Sequence, residues 1–410
     1  MALCAAGAEK ALSNELRKLN LSVLDASGYG RVKFNTDIPG LYSALMGLRT
    51  ADRVLLETAF FKAQDFDDLF NGTRDTQWDR YIPEGMGLTV EKVRSNRSQL
   101  KAETSIQSIV HKAAAEHLCS KYKIRRLPED GHNAVIRVYI EKDNVSLLLD
   151  LSGEPLFKRG YRTEGGAAPL RETSAAALVL LSGWKRKFPL YDPFCGSGTI
   201  LIEALMYAWD MAPGLGRHFS IDNLLIADRI TEETVRENFR SKVNFDNIIR
   251  IAGSDSDSRT VSIAASNCQR VKDIAMGKTP MRGIRSPGEN AVQSLPVLKT
   301  LALEKARSPF DTQGQAENAP EGFIVTNPPY GRRLGETVDS ERIYSEMGIL
   351  RDHFPGWKLA VISDHPGFES FFNSKADSCK EISNGAVQTY FYQYEKLMKN
   401  NKPGIKPVCE

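Results

Sequence analysis

The stretch FPLYDPFCGSGTILIEALMYAW, residues 188–209, determines the fold of the C-terminal part of the chain. Its pattern predicts an apolar strand, a tight loop of small residues and a helix in direct succession. Gly196 and Gly198 allow the backbone to approach a ligand closely and to adopt a positive φ. Open α/β sheets bind ligands at the carboxyl ends of their strands, which is where this loop would lie. We therefore predict a ligand site at the loop.

The residues of the loop restrict the class of ligand. A dinucleotide fingerprint needs a third Gly or Ala where Leu201 stands, and a P-loop needs a Lys that is absent. Asp192, at the tip of the strand, would repel phosphates but could accept a hydrogen bond from a cationic amine. The loop thus suits a cofactor with a positive end and no phosphates. Its predicted cofactor-binding residues are Asp192, Pro193, Cys195, Gly196, Ser197 and Gly198.

A second acidic position lies in IRIAGSDSDSRTVSIAASN, residues 249–267. Asp255 falls at the predicted tip of the second strand, where a carboxylate can accept both hydroxyls of a ribose. Asp257 has two interpretations. It contacts the cofactor as well, or it caps the helix that follows.

The stretch FIVTNPPYG, residues 323–331, carries the strongest chemical signal. An apolar strand ends at Asn327, and two prolines then hold the backbone rigid and remove two N–H donors. The Asn327 side-chain oxygen and the Pro328 carbonyl are two convergent acceptors, which a planar NH₂ group requires. Tyr330 supplies an aromatic face for a flipped-out base. We predict Asn327, Pro328, Pro329 and Tyr330 as the catalytic residues, which position an amine for transfer.

Strands and helices alternate after about residue 155. Helices are predicted at 172–185, 198–210 and 258–271. Strands are predicted at 188–192, 248–254, 300–304, 322–326, 357–363 and 387–395. This alternation is typical of a doubly wound, mostly parallel sheet. Before residue 155 the pattern is α+β: strand, helix, hairpin and helix over residues 1–45, then a mixed region that ends in a hairpin at 134–153.

The charge distribution favours a nucleic-acid partner more than the net charge of +3 does. Residues 92–126 hold nine Lys or Arg against Glu103 and Glu116. Such a stretch could neutralise several phosphates, although a solvated basic face would have the same composition. The predicted RNA-binding residues are Lys92, Arg94, Arg97, Lys101, Lys121, Lys123, Arg125, Arg126, Arg332 and Arg333.

Composition limits the other classes of protein. The chain has 410 residues, of which 41% are hydrophobic, and we find no apolar run near the ~20 residues that span a bilayer. The six cysteines form no CxxC pair, and the six histidines form no ligand cluster. The N-terminus lacks the basic leader and long apolar stretch of a secretory signal. We therefore expect reduced thiols, no metal, no membrane and a cytoplasmic location.

DPFCGSGTI and NPPYG together resemble the class I methyltransferases that modify amino groups. APLRETSAAALVLLSGW, IEALMYAWDMAPGL, MALCAAGAE, GRVKF and LRTADRVLL resemble the THUMP-containing RNA guanine-N2 methyltransferases. The likeness covers nearly the whole chain. Within that family it is greatest to the N-terminal half of the bifunctional bacterial 23S rRNA guanine-N2 methyltransferases.

The resemblance implies four segments: a ferredoxin-like piece at 1–45, a THUMP RNA-binding domain at 46–155, a Rossmann-like domain with a seven-stranded, mostly parallel sheet at 156–396, and a tail at 397–410. It also implies S-adenosylmethionine as the cofactor and structured RNA, 23S rRNA or tRNA, as the partner. Two features depart from the family: Lys305 stands where an acid near the cofactor's adenine is usual, and residues 277–293 form an unusual polar insertion.

Other readings remain open. DNA adenine-N6 and protein glutamine-N5 methyltransferases also use Asn-Pro-Pro-Tyr, but the basic α+β N-terminal part fits neither of them well. A non-catalytic RNA-binding assembly factor would have no reason to retain Asp192, Gly196, Gly198 and Asn327. THUMP-containing tRNA thiolation enzymes need an ATP pyrophosphatase loop, which we do not find in the sequence.

Overall fold

The computed structural model describes residues 1–162, 170–276, 295–310, 322–330, 336–385 and 387–398. The 277–293 insertion, Arg332, Arg333 and most of the 397–410 tail lie outside these ranges. The chain divides into two compact units. Unit 1 comprises Met1–Cys4, Ser13–Lys158 and Arg217–Glu237, and unit 2 comprises Ala5–Leu12, Arg159–Gly216 and Asn238–Glu410. Neither unit is continuous in sequence, so each is described by itself.

Unit 1 contains a seven-stranded sheet. Its strands are β1 (Ala2–Cys4), β2 (Ser22–Asp25), β3 (Arg31–Asn35), β4 (Ala51–Lys62), β5 (Gly87–Asn96), β6 (Asn133–Glu141) and β7 (Asn144–Asp150). The strand order is β2-β3-β1-β4-β7-β6-β5, in which only β5 and β6 pair in parallel. The Lys142-Asp143 turn between β6 and β7 has positive φ at both residues, the geometry of a two-residue hairpin.

Four helices belong to the N-terminal part of the chain: α1 (Glu9–Lys18), α2 (Ile38–Gly47), α3 (Phe66–Arg74) and α4 (Glu103–Tyr122). Helix α2 begins where the Asp37 carboxylate accepts the Gly40 N–H at 2.9 Å, which satisfies a free backbone donor. Helix α4 buries Ile106, Val110 and Leu118, which recur at helical spacing. Apolar periodicity therefore fixes which face of α4 is buried.

Unit 2 contains the second seven-stranded sheet. Its strands are β8 (Leu190–Asp192), β9 (Ile251–Asp255), β10 (Val297–Thr300), β11 (Phe323–Thr326), β12 (Lys358–Ser363), β13 (Ser378–Asn384) and β14 (Val387–Tyr394). The order is β10-β9-β8-β11-β12-β14-β13, and the first five strands pair in parallel. The predicted fold class, a Rossmann-like mostly parallel sheet after an α+β module, is confirmed. Strands β8 and β11 are buried throughout, as parallel strands covered on both faces require.

The C-terminal part of the chain contains seven described helices: α5 (Glu172–Leu181), α6 (Thr199–Ala208), α7 (Arg229–Arg240), α8 (Ser258–Ala275), α9 (Glu336–Glu346), α10 (Leu350–His353) and α11 (Phe368–Phe372). Helix α6 is buried at nearly every position, and its Leu201, Ile202 and Leu205 belong to the main core of unit 2. Because α6 is so apolar, it holds the preceding glycine loop firmly against the sheet.

The observed elements differ from the sequence predictions in a few places. The strand predicted at 300–304 is wrong in position, since β10 covers Val297–Thr300 and a 3₁₀ turn follows at Leu303–Lys305. The sequence did not assign the 12-residue strand β4, helix α7 or strand β13. Strand β4 combines buried and exposed residues without regular alternation, partly because its register with β7 shifts between Glu57 and Ala59.

Candidate functional site

Three neighbouring strands of unit 2 end at the same edge of the sheet. Strand β8 lies between β9 and β11, with Asp192 opposite Gly253 and Tyr191 opposite Ile324. The chain runs from β8 to β9 and β10 on one side, and returns to β11 and β12 on the other. This reversal of strand order creates the crevice in which open α/β sheets bind ligands. The glycine loop, Asp255 and Asn327 all follow these three strands.

The glycine loop has the backbone conformation that its sequence predicts. Gly196 and Gly198 have φ values of +50° and +84°, which other residues rarely adopt. The Cys195 carbonyl accepts the Gly198 N–H at 2.8 Å, and the Cys195 N–H donates to the Ser254 carbonyl at 2.9 Å. A Cβ atom at Gly196 would meet no atom within 4 Å. The loop is thus fixed at one side and open at Gly196, where a ligand could approach the backbone.

Asp192, at the start of the glycine loop, has 1% of its surface exposed. Its Oδ1 atom accepts the Thr326 hydroxyl at 2.6 Å and the Phe194 N–H at 3.0 Å. Burial raises the pKa of Asp192 to about 7, although these two hydrogen bonds favour the charged form. A cationic ligand amine would stabilise the ionised carboxylate and so bind more tightly where Asp192 is deprotonated.

Asp255 and Asp257 have different local roles. The Asp255 carboxylate accepts the Gly196 N–H at 3.0 Å through Oδ2 and the Asp257 N–H at 3.0 Å through Oδ1. A carboxylate has about four acceptor positions, so it retains capacity for hydroxyls. Asp257 is the N-cap of α8 and accepts the Arg259 N–H at 2.9 Å. Its helix-capping role is therefore present in the structure, and its cofactor contact stays a prediction.

Asn327 carries an acceptor that the protein leaves open. Its Oδ1 atom is buried and has no hydrogen-bond partner among the described residues. Pro328 beside it is buried, and Tyr330 is half-buried. Leaving a buried polar atom unpaired costs roughly 1–3 kcal/mol, so such an atom calls for an explanation. A ligand N–H would supply the missing partner.

The loop after Asn327 is held by a tyrosine that the sequence did not single out. The Tyr344 hydroxyl on α9 donates to the Pro329 carbonyl at 3.2 Å and accepts the Ser363 hydroxyl at 3.1 Å. Burial raises the pKa of Tyr344, so its hydroxyl stays protonated and remains a donor. The bond engages the Pro329 carbonyl, not the Pro328 carbonyl predicted to receive an amine. Tyr344 is a positioning residue for the loop.

A second layer of polar residues holds the glycine loop from behind. The Asn267 side-chain N–H₂ on α8 donates to the Ser197 carbonyl at 3.0 Å, and Arg270 donates to the Asn267 amide oxygen at 2.8 Å. Arg162 donates to the Thr199 hydroxyl at 2.6 Å, at the start of α6. The sequence did not predict a role for any of these side chains. The residues that these hydrogen bonds join are between 3 and 70 positions apart and share no motif.

Cys195 is not a candidate nucleophile. Its thiol is buried in the core of unit 2, and burial raises its pKa far above the ordinary value, with Asp192 and Asp255 adding to the rise. Within the described part of the chain, no group of three or more His, Cys, Asp or Glu is placed to hold a metal ion. No helix among the same residues is long and apolar enough to cross a bilayer.

The predicted RNA-binding residues of unit 1 form two groups instead of one stripe. Helix α4 separates them, because its 20 residues extend about 30 Å. Lys92, Arg94, Arg97 and Lys101 precede the helix, and Lys121, Lys123, Arg125 and Arg126 lie at its far end. All eight side chains are exposed. Lys121 forms an ion pair with Asp79 at 3.0 Å, and Arg126 forms one with Glu129 at 3.7 Å.

Comparisons with known proteins identify the class of protein. A family model described as the RMKL-like methyltransferase domain matches residues 159–278 and 306–393, and a model of the RlmL ferredoxin-like domain matches residues 1–55. "Putative RNA methyltransferase YpsC" of Bacillus subtilis strain 168 is 34% identical over 394 residues, which cover 95% of this chain and 93% of that protein.

Two solved structures are similar over nearly their full length. SMU.472, crystallised in complex with SAH, has 32% identity and a TM-score of 0.82, covering 96% of this chain and 97% of its own. The "predicted N6-adenine-specific DNA methylase" of Listeria monocytogenes str. 4b F2365 has 33% identity and a TM-score of 0.81, covering 96% and 94%.

The fold and the site define a class I methyltransferase with S-adenosylmethionine as its cofactor. The chain belongs to the RMKL-like methyltransferase family and has the RlmL ferredoxin-like domain at its N-terminus. The open backbone at Gly196, the acidic Asp192 and the unpaired Asn327 acceptor fit this cofactor and an amine acceptor. S-adenosylmethionine supplies a methyl group on a positively charged sulfur.

We predict that Asp192→Asn weakens binding of S-adenosylmethionine about 10- to 100-fold, the usual effect of losing a charge-assisted hydrogen bond. Because the pKa of Asp192 lies at about 7, wild-type affinity should fall as the pH decreases from 7.5 to 5.5 and the carboxylate is protonated. Calorimetric titration of each protein across this range measures both effects. An unchanged pH dependence in Asp192→Asn would contradict the assignment.

We predict that Tyr344→Phe lowers kcat about 5- to 10-fold while leaving affinity for S-adenosylmethionine unchanged, because the Pro329 carbonyl loses its donor. The matched control is Tyr394→Phe, which removes a hydroxyl bond to the Ser374 carbonyl elsewhere in unit 2. Steady-state kinetics and thermal melting of both variants separate positioning from stability. Equal loss of kcat in the two variants would assign Tyr344 to stability alone.

Proposed function

We propose that this protein transfers a methyl group from S-adenosylmethionine to the exocyclic N2 amine of a guanosine in RNA, with 23S rRNA as the target. The observation that carries the proposal is the buried Asn327 Oδ1, which has no partner among the described residues. A guanine N2 amine has two hydrogens, and an amide oxygen with a proline carbonyl can accept both.

The residues of the site account for reactivity without a general base. Acceptance of both N–H bonds by Asn327 and Pro328 directs the nitrogen lone pair towards the methyl group, an effect of orientation. The lone pair forms the new N–C bond, the C–S bond breaks with its electrons on sulfur, and the extra proton passes to water. Tyr330 provides a face for the flipped base, and Tyr344 holds the loop through Pro329.

RNA is the partner that the exposed basic residues of unit 1 and the name of the Bacillus relative support. The choice of guanine N2 as the methylated atom and of 23S rRNA as the substrate rests on the resemblance of the motifs to the THUMP-containing methyltransferases. In this proposal the THUMP domain at 46–155 binds the RNA, and the protein acts in the cytoplasm. Arg332 and Arg333 follow Tyr330 after a single glycine in the sequence and are proposed to hold a phosphate beside the base.

A second candidate is methylation of adenine N6 in DNA. The name of the Listeria relative favours it, and an adenine N6 amine also offers two hydrogens to Asn327 and Pro328. Methylation of guanosine N2 in tRNA is the other candidate within RNA, because the same site residues could bind a guanosine from either kind of RNA.

Transfer of labelled methyl groups into unmodified 23S rRNA, bulk tRNA and unmethylated DNA, followed by nucleoside analysis, tests the proposal. We expect N2-methylguanosine from 23S rRNA. The same nucleoside from tRNA alone would contradict 23S rRNA as the substrate. N6-methyladenine from DNA would contradict both guanine as the methylated base and RNA as the nucleic acid.

We predict that Asn327→Ala lowers kcat about 100-fold or more, because the amine loses an acceptor that orients it in the transition state. Affinity for S-adenosylmethionine should change by less than about twofold. The matched variant Asn327→Asp retains acceptor oxygens at the position and should fall between Asn327→Ala and the wild type. Near wild-type turnover of Asn327→Ala would mean that Asn327 does not orient the amine.

A further inference from the structure

Phe60 of strand β4 is an exposed aromatic residue on one face of the unit 1 sheet. Phe61 points to the opposite face, where a side chain at Gly72 of α3 would collide with its ring. Successive residues of a strand point to opposite faces, so Phe60 lies on the face away from α3. Phe60 has 62% of its surface exposed, so a ligand can reach its ring.

Strand register places Phe60 in a row across four strands. Phe60 of β4 is opposite Ser146 of β7, Ser146 is opposite Tyr139 of β6, and Tyr139 is opposite Arg94 of β5. Adjacent strands are about 4.8 Å apart, so the two aromatic residues are about 10 Å apart, with only a small serine between them. The row has an exposed aromatic side chain at one end and an exposed arginine at the other.

Cations surround this row. Lys62 of β4 and Lys92 and Arg94 of β5 are exposed, and none lies within ion-pair distance of a carboxylate among the described residues. In contrast, Lys33 pairs with Glu57 at 3.0 Å, and its ammonium nitrogen lies 5.5 Å from the centroid of the Phe60 ring.

Acidic residues on the same face are mostly neutralised. Glu91 pairs with Arg137 at 2.9 Å, and Glu57 pairs with Lys33. The next row of the sheet consists of Lys62, Asn144, Glu141 and Asn96. Lys62 interacts electrostatically with the Asp143 carboxylate. Lys92 and Arg94 therefore supply the positive charge on this face that an anionic polymer could neutralise.

We propose that this face binds a single-stranded segment of the RNA substrate, with one unpaired base stacked on Phe60 and the phosphates on Arg94 and Lys92. The inference rests on the proposed function for the identity of the nucleic acid. Bases stack on aromatic side chains irrespective of sequence, and cations along the path contact the backbone. A protein partner would need a larger apolar centre than one exposed phenylalanine surrounded by charges.

The opposite end of α4 is less suited to this role. Lys121 and Arg126 there already have ion pairs with Asp79 and Glu129. His117 also contacts the Asp79 carboxylate, at 2.7 Å. Part of the positive charge at that end is thus used within the protein, and no aromatic side chain there is among the large exposed ones of the described chain.

Binding of a 5′-fluorescein-labelled, 12-nucleotide single-stranded RNA to the full chain, without S-adenosylmethionine, tests this proposal by anisotropy. We expect Phe60→Ala to weaken binding about 5- to 100-fold, the range of one stacking contact. Phe60→Trp should restore it. The matched control is Tyr29→Ala, which removes another exposed aromatic side chain of unit 1 and should leave affinity unchanged.

A salt titration tests the charged part of the surface. The double change Lys92→Gln and Arg94→Gln should reduce the slope of log K against log salt by about 1.4, since each phosphate contact to a single strand contributes about 0.7. A slope equal to that of the wild type, or wild-type affinity in Phe60→Ala, would overturn the proposal.

Failure of RNA binding at this face can be distinguished from failure of the proposed methylation reaction. If the oligonucleotide binds in a Phe60-dependent manner but no RNA is methylated, the face is confirmed and the reaction is wrong. If RNA is methylated at guanine N2 and Phe60→Ala binds and reacts like the wild type, the reaction holds and this face is excluded.

Discussion

The parallel pairing of β8 with β11 is the constraint on which the site depends. These strands are 133 residues apart in sequence at their paired positions Tyr191 and Ile324. At their carboxyl ends, the Thr326 hydroxyl donates to Asp192 at 2.6 Å. This bond joins the strand that carries the glycine loop to the strand that carries Asn327. The predicted cofactor acid and the predicted amine acceptor are thereby held at one edge of the sheet.

Two features of this arrangement are unfavourable for the stability of the folded protein. Asp192 is almost fully buried, which favours its neutral form, and Asn327 holds a buried oxygen without a partner among the described residues. Stability elsewhere offsets such costs: α6 is buried along nearly its whole length, and Asn267 and Tyr344 hold the two loops by direct hydrogen bonds. A cationic cofactor and an amine donor would offset both costs, since each supplies the group that the site lacks.

Sequence reasoning was accurate where the signal is local. The glycine loop, the strand before Asn327 and the helix after Asp257 each lie within a few residues of their own determinants, and the structure places them as predicted. It could not find the Thr326–Asp192 bond or the Tyr344–Pro329 bond, because each depends on strand order and helix packing. Nor did it resolve the basic stretch into two groups, since charge counted along a sequence ignores the length of α4.

We have proposed that the buried Asn327 oxygen and the Pro328 carbonyl hold an exocyclic N2 amine. The most direct measurement compares methyl transfer into two transcripts of the same 23S rRNA fragment, one with guanosine and one with inosine, which lacks the N2 amine. Both must bind the protein equally in an anisotropy assay. We predict label in the guanosine transcript and none in the inosine transcript. Equal label in both would contradict the claim, because the methyl group would then reside on another atom.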